Sequence, residues 1–409
     1  MKKLFLSIAM MVVAMGAFAQ DYYLKAEKFT LAPGEEKIVN IEMVNAEEVV
    51  CGIQCDIILP TGLNFWPMDD EGTILVYNSE RFGKGKDPKT GWPATGTDVT
   101  DYAVKEWHAD DSGVKHIRVV TYTNKLIPFK GTSGTLFSFK VKANDDTAID
   151  TYEVVVNMIG IAKNKVEGEE PGGLETQKET KTNSFVFPVL KEAEAFPSFE
   201  GTLDGVDVTM NRVVKAGWNT MVLPFDMTND EVVAAFGEET KVYEYTETAA
   251  GKIKFNTTTE GIKANVPVLV KAAKAIAADE NQIFSGKKVT YAEAGTVPGM
   301  SYTFTGNYAG QININAGDYI FNNGSLLKSQ GGSTLKSYRA YIAANGGDVK
   351  GLSIEIDDVP TGIELVNGEV ETVGDIYTVG GQLVRRNSTV KGLPEGIYMI
   401  NGNKVVVRK

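Results

Sequence analysis

Histidine and cysteine are scarce in this chain, which has only two of each among its 409 residues. A catalytic arrangement built on histidine would have to use His108 or His116, and no G-x-S-x-G nucleophile motif accompanies either of them. The sequence therefore predicts no catalytic residue, no cofactor-binding residue and no metal-binding residue. We expect a protein that is not an enzyme and that holds no cofactor.

The few cysteines also exclude a disulfide framework. Cys51 and Cys55 lie in an alternating run, Val50–Leu59, and share one face of a predicted strand with Ile53. A rise of about 3.3 Å per residue separates their Cα atoms by about 13 Å, whereas a disulfide needs less than about 7 Å. We expect two buried free thiols that act as small hydrophobic side chains, and a reactive or metal-binding pair is the alternative.

Long apolar runs and excess positive charge are absent as well. The apolar run Leu4–Val13 follows Lys2 and Lys3 and precedes the A-x-A site Ala17–Ala19, so residues 1–19 are predicted to be a signal peptide. No other run approaches about 18 apolar residues, so we expect no transmembrane anchor after cleavage. The net charge of −12 argues against nucleic acid and anionic lipid as partners.

Period-two alternation dominates what remains. Apolar residues alternate with polar ones around Val39–Met43, Phe137–Val141 and Tyr152–Met158, and turn residues such as Pro33-Gly34 separate these runs. The pattern predicts an all-β protein: a first β-sandwich at 20–190, a linker at 191–198, a second β-sandwich-like domain at 199–356 and a small C-terminal β module at 362–409.

The first domain resembles a cohesin module, a sandwich related to carbohydrate-binding modules. The resemblance rests on the Pro33-Gly34 turn before a strand, the turn Pro60–Leu63 after its partner, and a later strand that starts at Gly134. It implies a cohesin-like fold and protein–protein contacts. Residues 163–182, rich in Glu, Lys, Gly and Thr, are predicted to form a long solvated loop or hairpin before a closing strand at 184–188.

The second domain contains one clear helix motif. Thr228 and Glu231 form a capping box, which predicts a helix from Asp230 to Phe236 that ends at Gly237. The composition of Ala272–Ala278 favours a helix, but the apolar strand pattern that precedes it favours a loop equally, so both alternatives stay open. In the segment GWNTMVLPF, Trp218 and Phe225 are predicted to be core anchors.

The C-terminal module resembles the sorting domain of type IX secretion cargo. Asp375–Val384 reads as a strand with a Gly-Gly turn, Gly392–Ile400 as a second strand, and the closing segment Asn401–Lys409 as a last apolar strand ending in lysine. Together these patterns predict a three-stranded unit. The resemblance implies recognition by the secretion machinery, and hence a secreted or cell-surface protein, with residence in the periplasm as the alternative.

Acidic and aromatic residues supply the remaining candidates for a site. Adjacent acids such as Asp69–Glu71 and Asp110-Asp111 fall in turns, where neighbouring side chains do not converge across a cleft as glycoside hydrolysis requires; calcium at these turns stays an alternative. Trp92, Tyr102 and Trp107 are the candidate ligand contacts. We expect a binding or adhesion protein that contacts an extracellular protein; carbohydrate binding is the alternative, and a glycoside hydrolase is the least favoured. A flat face with few aromatics would indicate a protein ligand, and an exposed aromatic row a glycan.

Overall fold

The computed structural model describes residues 22–45, 47–78, 80–82, 102–109, 115–123, 128–164, 172–322, 325–346, 353–357, 359–366, 369–372, 374–388, 392–394, 396–400 and 403–407. Over these residues the chain is almost entirely β, which confirms the predicted fold class. Its contacts divide it into two units. Where described, residues up to 29, 34–147 and 152–184 belong to the first unit, and 30–33, 148–151 and the residues from 185 onward belong to the second.

The first part of the chain forms two sheets. Its strands are β1 (Tyr22–Ala26), β2 (Thr30–Leu31), β3 (Glu36–Asn45), β4 (Val50–Leu59), β5 (Leu63–Trp66), β6 (Leu75–Tyr77), β7 (Tyr102–Ala109), β8 (Lys115–Thr123), β9 (Thr135–Ala143), β10 (Asp150–Lys163) and β11 (Gly172–Val186). One sheet has the order β1-β3-β9-β5, with β6 also paired to β9. The other, here called the six-stranded sheet, has the order β2-β11-β10-β4-β8-β7.

Strand β4 shows why the alternation predicted a half-buried strand. Cys51, Ile53, Cys55, Ile57 and Leu59 are all buried, at most 2% exposed, because every second side chain points into the core. Both cysteines are free, which confirms the prediction. Burial raises the pKa of each thiol, so both stay protonated and unreactive near neutral pH.

Of the two alternatives predicted for residues 163–182, the structure has the hairpin and not the loop: β10 ends at Lys163, β11 begins at Gly172, and the two strands are neighbours in the six-stranded sheet. Threonines give the physical reason. The Thr180 and Thr182 hydroxyls donate to the backbone carbonyls of Leu24 (2.6 Å) and Ala26 (3.0 Å), so polar side chains on the inner side of β11 are satisfied within the protein. A polar run can therefore form a strand without an apolar face of its own.

The second unit contains most of the remaining strands and the helix. These elements are β12 (Leu190–Lys191), β13 (Thr202–Asn211), β14 (Gly217–Met221), α1 (Asn229–Phe236), β15 (Lys241–Ala249), β16 (Lys252–Thr258), β17 (Val268–Ala272), β18 (Gln282–Thr290), β19 (Thr296–Pro298), β20 (Tyr302–Asn307), β21 (Ile312–Ile314), β22 (Tyr319–Asn322), β23 (Ser325–Lys328), β24 (Ser333–Leu335), β25 (Arg339–Ala344), β26 (Ser353–Ile356), β27 (Val359–Val366) and β28 (Glu369–Thr372).

A seven-stranded sheet, β14-β17-β15-β16-β26-β27-β28, is the middle layer of this unit. One of its faces shares a core with helix α1 and the three-stranded sheet β12-β13-β18, through residues such as Val268 and Val270. Its other face shares a second core with the five-stranded sheet β19-β20-β25-β22-β23, through residues such as Leu269 and Phe255. Two covered faces explain why β17 is a continuous apolar run and not an alternating one.

Helix α1 confirms the capping-box prediction. Glu231 N donates to Thr228 Oγ1 (3.3 Å), and Thr228 N donates to Glu231 Oε2 (2.8 Å). The helix ends at Phe236 before Gly237, whose φ of 101° favours glycine. The ambiguous segment Ala272–Ala278 is the end of β17 followed by a non-helical stretch. No described helix has the length and apolar character needed to cross a membrane.

The C-terminal module is a four-stranded sheet and not the predicted three-stranded unit. Its strands are β29 (Gly374–Thr378), β30 (Leu383–Ser388), β31 (Gly396–Ile400) and β32 (Asn403–Val407), in the order β30-β29-β31-β32. The run Asp375–Val384 is a hairpin of two strands around Gly381, whose φ of 83° lies in the left-handed region. The sheet buries a small core of Ile376, Tyr398 and Ile400, with Leu393 packed against it.

Candidate functional site

The candidate site is the side of the six-stranded sheet that faces away from the core of the first unit. We call it the outer face, and its residues come from the three central strands. They are Gln54, Asp56 and Ile58 on β4, His116, Arg118 and Val120 on β8, and Val155 and Asn157 on β10. All are partly exposed except Asp56, which is buried at 8%.

Strand register arranges these side chains in rows across the sheet. Val155, Ile58 and His116 form one row, Asn157, Asp56 and Arg118 form the next, and Gln54 pairs with Val120 in the third. Residues opposite each other on neighbouring strands have Cβ atoms about 4.5–5.5 Å apart. The outer face therefore has a polar middle row with aliphatic side chains in the rows on both sides of it.

An ion pair fixes the middle row. Arg118 Nε donates to Asp56 Oδ1 and Nη2 to Asp56 Oδ2, both at 2.7 Å, which is a bidentate arrangement. The Asp56 side chain is 12% exposed whereas that of Arg118 is 43% exposed, so the carboxylate is covered and the guanidinium lies at the surface. The hydrogen bond to Asp56 raises the pKa of Arg118. The arrangement holds an arginine in one orientation on an exposed face.

The predicted ligand contacts stay predictions. Trp92 lies outside the described residues. Tyr102 and Trp107 lie on β7, the edge strand next to β8, in register with Thr123 and Arg118 respectively. The register thus places Trp107 at the end of the row formed by Asn157, Asp56 and Arg118.

The carboxylate of Asp69 accepts hydrogen bonds from the backbone of its own turn. Asp69 Oδ1 accepts hydrogen bonds from the backbone N–H groups of Glu71 (3.1 Å) and Thr73 (2.9 Å). Hydrogen bonding from Thr73 lowers the pKa of Asp69. Asp110-Asp111 lies outside the described residues. Within the described ranges, no three His, Cys, Asp or Glu side chains are grouped so that they could hold a metal ion.

The outer face was not predicted from the sequence. Asp56 and Arg118 are 62 positions apart, so only the pairing of β4 with β8 brings them together. One feature did indicate it: a single aspartate stands inside an apolar strand, and a buried carboxylate requires a partner. The partner, and with it the register of the face, could not be identified from that feature.

No protein-family model matches the chain, and no curated protein matches it significantly. Several solved structures are similar to part of it. The seventh ScaB type I cohesin from Pseudobacteroides cellulosolvens is 12% identical, with a TM-score of 0.30, over 41% of this chain and 93% of that one. A non-cellulosomal cohesin from Archaeoglobus fulgidus is 14% identical, with a TM-score of 0.26, over 41% and 91%.

A third similar structure is a type I cohesin–dockerin complex from Clostridium thermocellum, which is 10% identical, with a TM-score of 0.28, over 41% of this chain and 99% of that one. Similarity at this level assigns no family, ligand or partner to the chain. The fold defines an all-β protein of two units, and the first unit carries the outer face.

Proposed function

We propose that this chain is a non-enzymatic binding protein, secreted or held at the cell surface, and that its outer face binds a protein partner. The observation that carries the proposal is the set of partly exposed aliphatic side chains around an arginine that a covered carboxylate holds in place. Protein interfaces combine apolar contact with few charges and are enriched in arginine.

One substitution tests the outer face directly. Ile58→Arg places a long charged side chain between Val155 and His116, and we expect it to weaken partner binding about tenfold or more, because the charge must be desolvated at the interface. The first probe is a dockerin module, the partner in the complex named above, followed by proteins of the producing cell's surface and medium. Surface plasmon resonance on the immobilised mature chain measures the affinity.

The matched control is Ile38→Arg. Ile38 is an exposed isoleucine (53%) on β3, in the other sheet of the first unit, so the same change there adds the same charge elsewhere. Circular dichroism verifies that both variants are folded. A partner that binds both variants as tightly as the wild type would rule out the outer face. Retention of polysaccharides alone would favour the carbohydrate-binding alternative.

The C-terminal module is proposed to direct export to the cell surface. Among the described residues its core consists of Ile376, Tyr398 and Ile400 with Leu393 packed against them, and a core of this size suits a recognition module better than a domain that bears mechanical load. Strands β27 and β28 pair onto β26 in the seven-stranded sheet, so the truncation that tests the module alone ends at Thr372. We expect the truncated chain to fold and to accumulate in the periplasm.

Cell fractionation and surface protease accessibility of the wild type and the truncated chain measure this effect, with circular dichroism on both purified proteins. The second variant is the full-length chain with Ile376→Asp. This change places a charge in the core of the module, where Ile376 is fully buried, and disrupts the module without removing residues. Equal surface exposure of all three proteins would show that the module has no role in export.

A further inference from the structure

Aromatic rings from two parts of the chain form a contiguous stack in the second unit. Phe196 and Phe199 come from the segment before β13, and Tyr291 comes directly after β18. Phe196 lies parallel to Tyr291, with ring centroids 6.0 Å apart and an interplanar angle of 12°. Phe199 contacts both rings, at 6.2 Å from each. Phe187 and Tyr308 extend the stack on its inner side, at 6.0 Å from Phe199 and 5.3 Å from Phe196.

Exposure increases sharply along this stack. Phe187, Phe196 and Tyr308 are all under 8% exposed, whereas Tyr291 is 43% exposed. One face of the Tyr291 ring lies against Phe196, and Phe199 meets it at 65°. The solvent contact of Tyr291 is therefore mainly on the ring face opposite Phe196.

The base of the stack is fixed to the rest of the unit. Phe196 N donates to the backbone oxygen of Tyr308 at 2.7 Å, and Ala195 forms a β-bridge with Ala309. The Tyr308 hydroxyl donates to Asn265 Oδ1 at 3.2 Å. Because these contacts already hold the rings in place, a ligand that stacks on Tyr291 would lose little free energy to ordering them.

Comparison with Trp66 shows what is particular to Tyr291. Trp66 has a similar exposure of 38%, but Lys142 Nζ lies 4.0 Å from the centroid of its ring and covers that face with a cation. Tyr291 is instead supported from below by another aromatic ring. Of these two rings, only Tyr291 combines an aromatic support with an exposed face.

The residues around Tyr291 limit the chemical class of ligand that it can bind. Ser198, Glu200, Thr290 and Glu293 are exposed and lie within two positions of Phe199 or Tyr291. Two glutamates disfavour an anionic ligand, and with the net charge of −12 they argue against stacked nucleotides. A protein hot spot would be surrounded by apolar contacts rather than by carboxylates and hydroxyls.

A neutral sugar ring fits these surroundings. One side of a pyranose is a patch of C–H groups, which are attracted to the negative face of an aromatic ring. Its rim carries hydroxyls, which donate to carboxylates and exchange hydrogen bonds with hydroxyl side chains. We propose that Tyr291, stacked on Phe196 and flanked by Phe199, binds the apolar face of a neutral sugar ring. This site is separate from the outer face and is independent of the function proposed for it.

Affinity gel electrophoresis of the full mature chain tests the proposal, with soluble β-glucan, xylan and mannan as neutral probes and polygalacturonate as the anionic one. We expect at least one neutral polysaccharide to retard the wild type and polygalacturonate not to do so. Tyr291→Ala should weaken the retardation about tenfold, because stacking on one aromatic ring contributes roughly that factor. Tyr291→Trp, which keeps a flat ring, should retain it.

Trp66→Ala is the matched control, because it removes an exposed ring whose face is covered by Lys142. This variant should bind as the wild type does. Thermal melting verifies that each variant is folded; should Tyr291→Ala unfold, Glu200→Lys with Glu293→Lys replaces it and is expected to weaken retardation. The proposal is overturned if no neutral polysaccharide retards the chain. It is equally overturned if retardation survives Tyr291→Ala, or if Trp66→Ala abolishes it.

Discussion

Replacing Phe225 by alanine is expected to lower the free energy of unfolding of the second unit by about 3–5 kcal/mol. Phe225 is fully buried in the core between the seven-stranded and three-stranded sheets, and its ring lies 5.1 Å from that of Phe284. Removing the ring takes away its contacts and leaves a cavity that rigid strands on both sides cannot close. Urea unfolding followed by circular dichroism measures the loss.

Trp218 allows a comparison within the same short segment. It was expected to be a core anchor like Phe225, but it is only partly buried, at the margin of the core on the other side of the seven-stranded sheet. Its ring contacts Tyr243 at 5.2 Å, and Lys271 Nζ lies 5.5 Å from it. Trp218→Ala should therefore cost less than Phe225→Ala.

Ile283→Ala supplies the control for Phe225→Ala, because Ile283 is 67% exposed on β18 and its truncation should change the stability by no more than about 0.5 kcal/mol. If Phe225→Ala were as mild as Ile283→Ala, the assignment of Phe225 to a packed core would be wrong. The order Phe225, Trp218, Ile283 is thus a prediction about burial rather than about residue size.

Local patterns were sufficient wherever a single face of an element is buried. The alternation in β4 predicted which residues are buried, and the spacing of Thr228 and Glu231 predicted the start of α1, because each depends on neighbours in the chain. A strand that is buried on both faces does not show this alternation, so its burial pattern cannot be predicted in the same way. In β17 the buried residues are consecutive, so the sequence could not show that one sheet separates two cores.

Long-range pairing was the other limit. Strand β16 pairs in parallel with β26, about a hundred positions later, and nothing in either strand specifies this neighbour. The outer face has the same origin, since it exists only when β10, β4 and β8 lie side by side. Residue types therefore predicted the fold class, whereas the candidate site required the order and register of the strands.

The second large effect is expected for Glu192, because it is a buried carboxylate that pairs with two cations. Lys336 Nζ donates to its Oε1 at 2.7 Å and Arg339 Nη2 to its Oε2 at 2.5 Å, and its side chain is only 8% exposed. Burial and the charge of Arg339 lower the pKa of the fully buried Arg212, and the charge of Glu192 acts in the opposite direction. Glu192 thus compensates positive charge inside the second unit.

Glu192→Gln keeps the shape of the side chain and removes its charge. We expect it to lower the free energy of unfolding by about 2–3 kcal/mol, because Arg339, whose side chain is 23% exposed, loses its carboxylate partner, whereas Lys336 is 46% exposed and is solvated by water. Glu194→Gln is the matched control two positions away: Glu194 pairs with Lys191 at 3.1 Å, but both side chains are more than half exposed, so its loss should cost at most about 1 kcal/mol. Similar losses in the two variants would contradict the charge-compensating role of Glu192.

The dependence on pH provides an independent check of the same role. Burial by itself raises the pKa of Glu192, but the hydrogen bonds and charges of Lys336 and Arg339 outweigh it, so this pKa lies below its ordinary value in the folded protein. A carboxylate with a lowered folded pKa contributes its full stability above the unfolded pKa of about 4.3 and loses it as the pH falls through the folded pKa. The difference in stability between wild type and Glu192→Gln should therefore stay constant between about pH 6 and pH 8 and shrink below about pH 4.3. Denaturant titrations at a series of pH values measure it, and a difference that grew on acidification would show that the carboxylate is not held ionised by its two partners.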